Sequence, residues 1–95
     1  MDREFDREDL VRALEAEFGG SDGALRAVSR QARDLADSGR VADDLGAELT
    51  VEEICSQLAD APDDHTLVER WNWWVGALDL SHGGYRRFRV REDIA

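Results

Sequence analysis

No lysine occurs in this chain of 95 residues. All 12 basic residues are arginine, set against 22 Asp and Glu, for a net charge of −10. Cysteine is almost as scarce: Cys55 alone cannot form an internal disulfide, which fits a reducing compartment. No apolar run approaches the roughly 18 residues that span a bilayer. The opening Met1-Asp2-Arg3-Glu4 is charged and has no signal-peptide apolar region, so a cytoplasmic location is expected. The glycine pairs 19–20 and 83–84 lack the lysine and the helix start of a phosphate-binding loop, and no nucleophile motif accompanies His65 or His82. Cys55, His65 and His82 match no zinc spacing, and Asp43-Asp44 and Asp63-Asp64 read as solvated turns. Neither an enzyme, a cofactor nor a metal is expected.

What is present suffices for one small domain, 1–95. Hydrophobic residues make up 42% of the chain, including three Trp, which is enough for a core. An acidic composition without lysine resembles that of proteins from salt-loving archaea. In molar salt, charges are screened within about 3 Å, so the self-repulsion of such a domain matters little. A GC-rich genome would also deplete lysine, so the composition speaks to environment before partners.

Apolar spacing predicts four helices. The first spans 6–18, capped by Asp6, with Leu10, Val11, Leu14 and Phe18 on one face and Gly19-Gly20 at its end. The second starts at Ser21 or Asp22 and closes at Ser38-Gly39, with Leu25, Val28, Ala32 and Leu35 as its stripe. On another face Arg26, Arg30 and Arg33 stand four residues from Asp22, Asp34 and Asp37, which predicts salt bridges, or else a stripe for an anionic ligand. Residues 40–46 read as a loop or one loose turn anchored by Val41 and Leu45, and 47–49 as a brief extended stretch. Thr50-Val51-Glu52-Glu53 predicts a capping box opening a third helix, whose inward stripe is Val51, Ile54, Cys55 and Leu58. Cys55 on that stripe reads as a small buried hydrophobe. Pro62 ends the helix, and Asp63-Asp64 supply caps for a fourth from about His65 to Leu78. Its inward face carries Leu67, Trp71, Trp74, Val75 and Leu78, while His65, Glu69, Asn72, Trp73 and Gly76 face outward with Arg70 near the edge. Residues 79–82 and 85–91 then read as two strands around Gly83-Gly84, with Phe88 and Val90 inward and Arg87 and Arg89 outward.

From residue 21 the predicted order is helix, short strand, helix, turn, helix, β-hairpin. With Glu48-Leu49-Thr50-Val51-Glu52-Glu53-Ile54 as the strand and the opening of its second helix, this order resembles the winged helix-turn-helix domain. The resemblance covers 21–91, with 6–18 as an added helix. It implies an α+β fold whose recognition helix is 65–78 and whose wing is 79–91; an all-α four-helix domain is the alternative. It also implies duplex DNA as partner, through Arg70, Asn72 and Trp73 on the helix and Arg86, Arg87, Arg89 and Arg91 on the wing.

Two features depart from that pattern. Glu69 sits centrally on the face that would enter the groove, and the chain is strongly acidic, so counterion release contributes little. Against them, residues 81–95 hold 4 Arg and 2 acids, a local excess of +2 in a chain of net −10. Those arginines suit phosphate or the acidic body of the domain alike. Trp73 lies opposite the core face, beside Gly76. It is covered by helix 6–18, or exposed, or it anchors a contact with another protein or a second copy. The expected function is thus a small non-enzymatic DNA-binding domain, with a protein-interaction module or homodimer as the alternative.

Overall fold

Helix boundaries follow local chemistry closely. The structure, a computed structural model, describes residues 6–91. Helix α1 (Arg7–Phe18) begins where the Asp6 carboxylate accepts the Glu8 amide at 2.9 Å, and it stops at Gly19, whose φ of 71° few other residues tolerate. Helix α2 (Asp22–Ser38) is capped by Ser21, whose Oγ accepts the Ala24 amide at 3.0 Å. Helix α3 (Arg40–Leu45) follows directly, then α4 (Val51–Ala59), α5 (Leu67–His82) and a 3-10 turn, Arg86–Phe88.

Helix α1 packs on α2 and α4, α5 packs on α2 and α4, and the 3-10 turn wedges between α2 and α5. The core between them holds Leu10 and Leu14 of α1, Leu25, Val28, Ala32 and Leu35 of α2, and Ile54 and Leu58 of α4. From α5 it receives Val68, Trp71, Trp74 and Val75. Trp71 and Trp74 meet edge to face, their ring centroids 5.5 Å apart.

Several expectations need correction. Among the described residues there is no strand, so the α+β fold with a β-hairpin wing is replaced by an all-α fold of five helices. Residues 79–82 continue α5 as far as His82, because nothing in Asp79-Leu80-Ser81-His82 breaks a helix before Gly83. Residues 47–49 form no strand; Leu49 alone is buried from that stretch. The expected loop at 40–46 is largely helical, with Val41 buried as its anchor and Leu45 exposed. The strand and hairpin that carried the winged helix-turn-helix resemblance therefore take other forms.

The caps are also redistributed. Thr50 accepts the Glu53 amide at 3.1 Å, but Glu53 bonds Gln57 instead of reaching back, so the box at α4 is half made. The complete box lies at α5, where Thr66 Oγ1 accepts the Glu69 amide and Glu69 accepts the Thr66 amide at 2.8 Å. Thr66, and not Asp63 or Asp64, is the cap of that helix.

What replaces the wing is a single strap. After Gly83 and Gly84, at φ 77° and 83°, the chain folds back along α5. Phe88 and Val90 turn inward and Arg87 and Arg89 outward, as expected, but Tyr85 is also inward and Arg86 outward, because the 3-10 turn Arg86–Phe88 breaks the alternation. Past the 3-10 turn, the Phe88 carbonyl and the buried Val90 must satisfy their backbone groups with no partner strand among the described residues. Side chains serve instead: Trp71 Nε1 donates to the Phe88 carbonyl at 2.8 Å. Asn72 clamps Val90 from both sides, donating to its carbonyl at 2.8 Å and accepting its amide at 2.9 Å.

Candidate functional site

The strap decides which expected site residues are available. Asn72, expected on the outward face of its helix, is buried at 6% exposure and committed to Val90. Its position borders the inward face, and the strap covers that border. Arg70 is committed too: it donates to the Leu58 carbonyl at 2.9 Å, closing the end of α4, and its guanidinium lies 4.9 Å from the Phe18 ring centroid. Both hold the fold together internally.

Trp73 remains at the surface, 40% exposed. Of the alternatives for Trp73, cover by the first helix does not hold, because α1 lies against α2 and α4. One and two helical turns beyond Trp73 lie Gly76, which the spacing already sets beside it, Ala77, and Leu80, which the expected hairpin had placed on a strand. Ala77 is exposed, Gly76 partly so, and Leu80 is 91% exposed. Positions 73, 76, 77 and 80 have the i, i+3, i+4, i+7 spacing of a helix-packing seam and fall within about 100° of arc. The signal for Leu80 was present in the sequence as its seven-residue distance from Trp73, and it was hidden by placing residue 80 on a strand. Helix α5 is thus apolar on two opposite faces, of which the fold covers one.

The seam carries no charge. Asp79, the only ionisable residue between Arg70 and His82, lies around the helix, where its Oδ1 accepts the Tyr85 amide at 3.1 Å. Glu69 at the N-terminal end of the face is engaged in the capping box. For a chain in which 36% of residues are charged, two uncharged turns of exposed helix form an unusual patch.

The arginines of the strap lie elsewhere. Arg86, Arg87, Arg89 and Arg91 are all exposed. The Arg87 guanidinium stacks 4.6 Å from the Phe88 ring centroid, beside a shallow cleft that Asp34 and Asp37 of α2 also line. On α2 itself one of the three expected pairs forms among the described residues, Arg33 with Asp37 at 3.5 Å, and both partners are largely exposed.

At the α5 C-terminus, Arg40 of α3 donates to the Gly83 carbonyl at 3.0 Å and lies 5.2 Å from the Tyr85 ring centroid. Tyr85 is fully buried and its hydroxyl donates to Asp44 at 2.7 Å. Burial, reinforced by the Asp44 carboxylate, pushes its pKa up to about 12. This latch ties α3 to the strap. Cys55 is half-buried, not fully buried as its stripe suggested. Burial, aided by Glu17 and Glu52, raises its pKa, the opposite of an activated thiol. No helix among the described residues is long and apolar enough to cross a membrane.

No curated protein and no solved structure matches the chain. One family model does, over residues 1–79, and its description, the WNWW domain, spells the tetrapeptide Trp71-Asn72-Trp73-Trp74. Three of those four side chains have internal work here: Trp71 and Trp74 fill the core, and Asn72 and Trp71 hold the strap. Trp73 is the one left facing out. With more than half its length matched, the chain belongs to the WNWW domain family.

Proposed function

We propose that this protein is a non-enzymatic interaction module of the cytoplasm that docks an apolar helix face of a partner onto the outer side of α5. The observation that carries this reading is the uncharged seam Trp73, Gly76, Ala77 and Leu80, exposed on a helix whose opposite face already fills the core. An aromatic anchor beside small residues is how a rigid helix receives a partner's side chains. The duplex-DNA reading loses two of its supports. The groove-reading helix offers Trp, Gly, Ala and Leu where base edges need donors and acceptors, and the wing does not form. What remains for DNA is the exposed set Arg86, Arg87 and Arg89.

Leu80→Asp separates the readings, since a side chain 91% exposed contributes nothing to the core. Immobilised wild-type and Leu80→Asp protein are compared for chains retained from an extract of the source cells, and both are titrated with a fluorescent DNA duplex in the same buffer. A retained chain lost with Leu80→Asp supports docking through α5. Duplex binding that survives Leu80→Asp and disappears when Arg86, Arg87 and Arg89 become Gln overturns it in favour of DNA. Absence of any Leu80-dependent association, with self or with another chain, also overturns it.

A further inference from the structure

We infer that Trp71 and Asn72 form a binding site for an extended basic segment of another chain, one with an aromatic residue two places before a valine, and that the strap is the site's tethered resident. This site is separate from the outer face of α5. The first ground is how the strap is held. Phe88 and Val90 stand two residues apart and both turn inward, the spacing at which an extended segment fills alternate pockets. Trp71 Nε1 donates to the Phe88 carbonyl at 2.8 Å, and Asn72 donates to the Val90 carbonyl at 2.8 Å and accepts its amide at 2.9 Å. All three bonds run from α5 side chains to main-chain atoms of the strap, so they hold a backbone whichever chain supplies it. Main-chain bonds for affinity and alternate side-chain pockets for selection are the two parts of an extended-peptide site.

Separability is the second ground. The strap's own backbone bonds are those of the 3-10 turn, from the Phe88 amide to Tyr85 and from the Arg89 amide to Arg86. Lifting residues 86–91 therefore unwinds one turn and leaves the bonds within the helices whole. Tyr85 stays behind, because its amide bonds Asp79, its hydroxyl bonds Asp44 and the Arg40 guanidinium lies over its ring. A tether this short gives the strap an effective concentration of about millimolar, and a rival segment must approach that concentration to displace it.

Charge names the occupant. Residues 1–80 hold 8 Arg against 20 acids, while the strap exposes Arg86, Arg87, Arg89 and Arg91, with Arg87 beside the cleft that Asp34 and Asp37 line. An acidic body attracts a basic segment and repels a second copy of itself. A second copy would also have to deliver its strap over the three-residue step from its latched Tyr85 to Phe88, a reach of at most about 11 Å. So short a reach presses two acidic bodies together, which favours a separate chain.

The test uses the full chain and a capped peptide of the strap sequence 86–91. On the wild-type chain, half-displacement is expected near about 1 mM peptide, where the chain's own Val90 amide should exchange at least tenfold faster. Phe88→Asp combined with Val90→Asp empties both pockets, and this double variant should bind the peptide at least tenfold more tightly than wild type while keeping its helix content. Adding Asn72→Ala to it, or methylating the peptide's valine amide, should lose at least tenfold in affinity. Leu80→Asp should change nothing, which keeps this site distinct from docking on the outer face of α5. Equal binding of the methylated peptide overturns the backbone clamp, and a folded double variant that binds no better than wild type overturns the site. Should the double variant lose its helix content, the wild-type chain decides: a Val90 amide unmoved by about 1 mM peptide overturns the proposal. A wild-type dimer in sedimentation equilibrium that the double variant abolishes overturns the separate chain in favour of exchange between copies.

Discussion

Asn72→Ala should release the C-terminal strap, and its cost follows from the two bonds it removes. Asn72 satisfies both backbone groups of Val90, at 2.8 and 2.9 Å, where Val90 itself is only 6% exposed. If the strap stays docked in the variant, an amide and a carbonyl are left buried without partners, at about 1–3 kcal/mol each. If the strap instead lifts from residue 89 onward, those groups find water and the burial of the Val90 side chain is lost, about 1.5–3 kcal/mol. The chain takes the cheaper route, so the expected loss is about 2–3 kcal/mol and its form is local opening. Hydrogen exchange at the Val90 amide reads this directly. Protection should fall by about 30- to 150-fold, since each 1.36 kcal/mol is a factor of ten. Amides of α2 should change less, because opening from residue 89 onward leaves Tyr85 and Phe88 seated in the core beside α2. Unchanged protection at Val90, with a urea midpoint matching wild type, would refute the clamp.

Four further outcomes are expected. Tyr85 has a folded pKa near 12 against 10 unfolded, so it contributes stability that is complete below pH 10 and lost as pH rises toward 12; Tyr85→Phe should flatten that alkaline decline in a series of urea melts, at a cost near neutrality of about 1 kcal/mol. Gly84→Ala should destabilise by about 2 kcal/mol in the same melts, because an L residue is strained at φ 83° and its Cβ would fall on the Arg40 guanidinium. Cys55, with its pKa raised, should label slowly with thiol reagents at neutral pH and faster as pH rises above 9; fast labelling at pH 7 would contradict its half-buried setting. With a net charge of −10, the domain should melt higher by circular dichroism in 2–3 M KCl (screening length about 3 Å or less) than in dilute buffer, and equal melting temperatures would sink the salt-adapted interpretation.

The division between sequence and structure falls where hydrogen-bond partners stop being local. Asp6, Ser21 and Thr50 could be read as caps because a cap bonds an amide two or three residues away, and Gly19 and Gly39 as helix ends because a left-handed φ is a single-residue property. The stripes of α1, α2 and α4 were legible for the same reason, as were the sides of Arg87, Phe88, Arg89 and Val90. The backbone form of residues 79–91 was not legible. Asp79 to His82 suit either the last turn of a helix or a short strand, and the choice depends on what pairs with the chain after Gly83. That partner is the pair of side chains Trp71 and Asn72, some 17 and 18 residues back, and not a neighbouring strand. Once the strap is seated there, Asn72 leaves the surface, the wing vanishes, and Leu80 joins Trp73 on the open side of α5. The sequence alone determined that α5 is apolar most of the way around; only the packing of α1, α2, α4 and the strap decided which side stays uncovered, because burial is a property of neighbours that helical spacing does not contain.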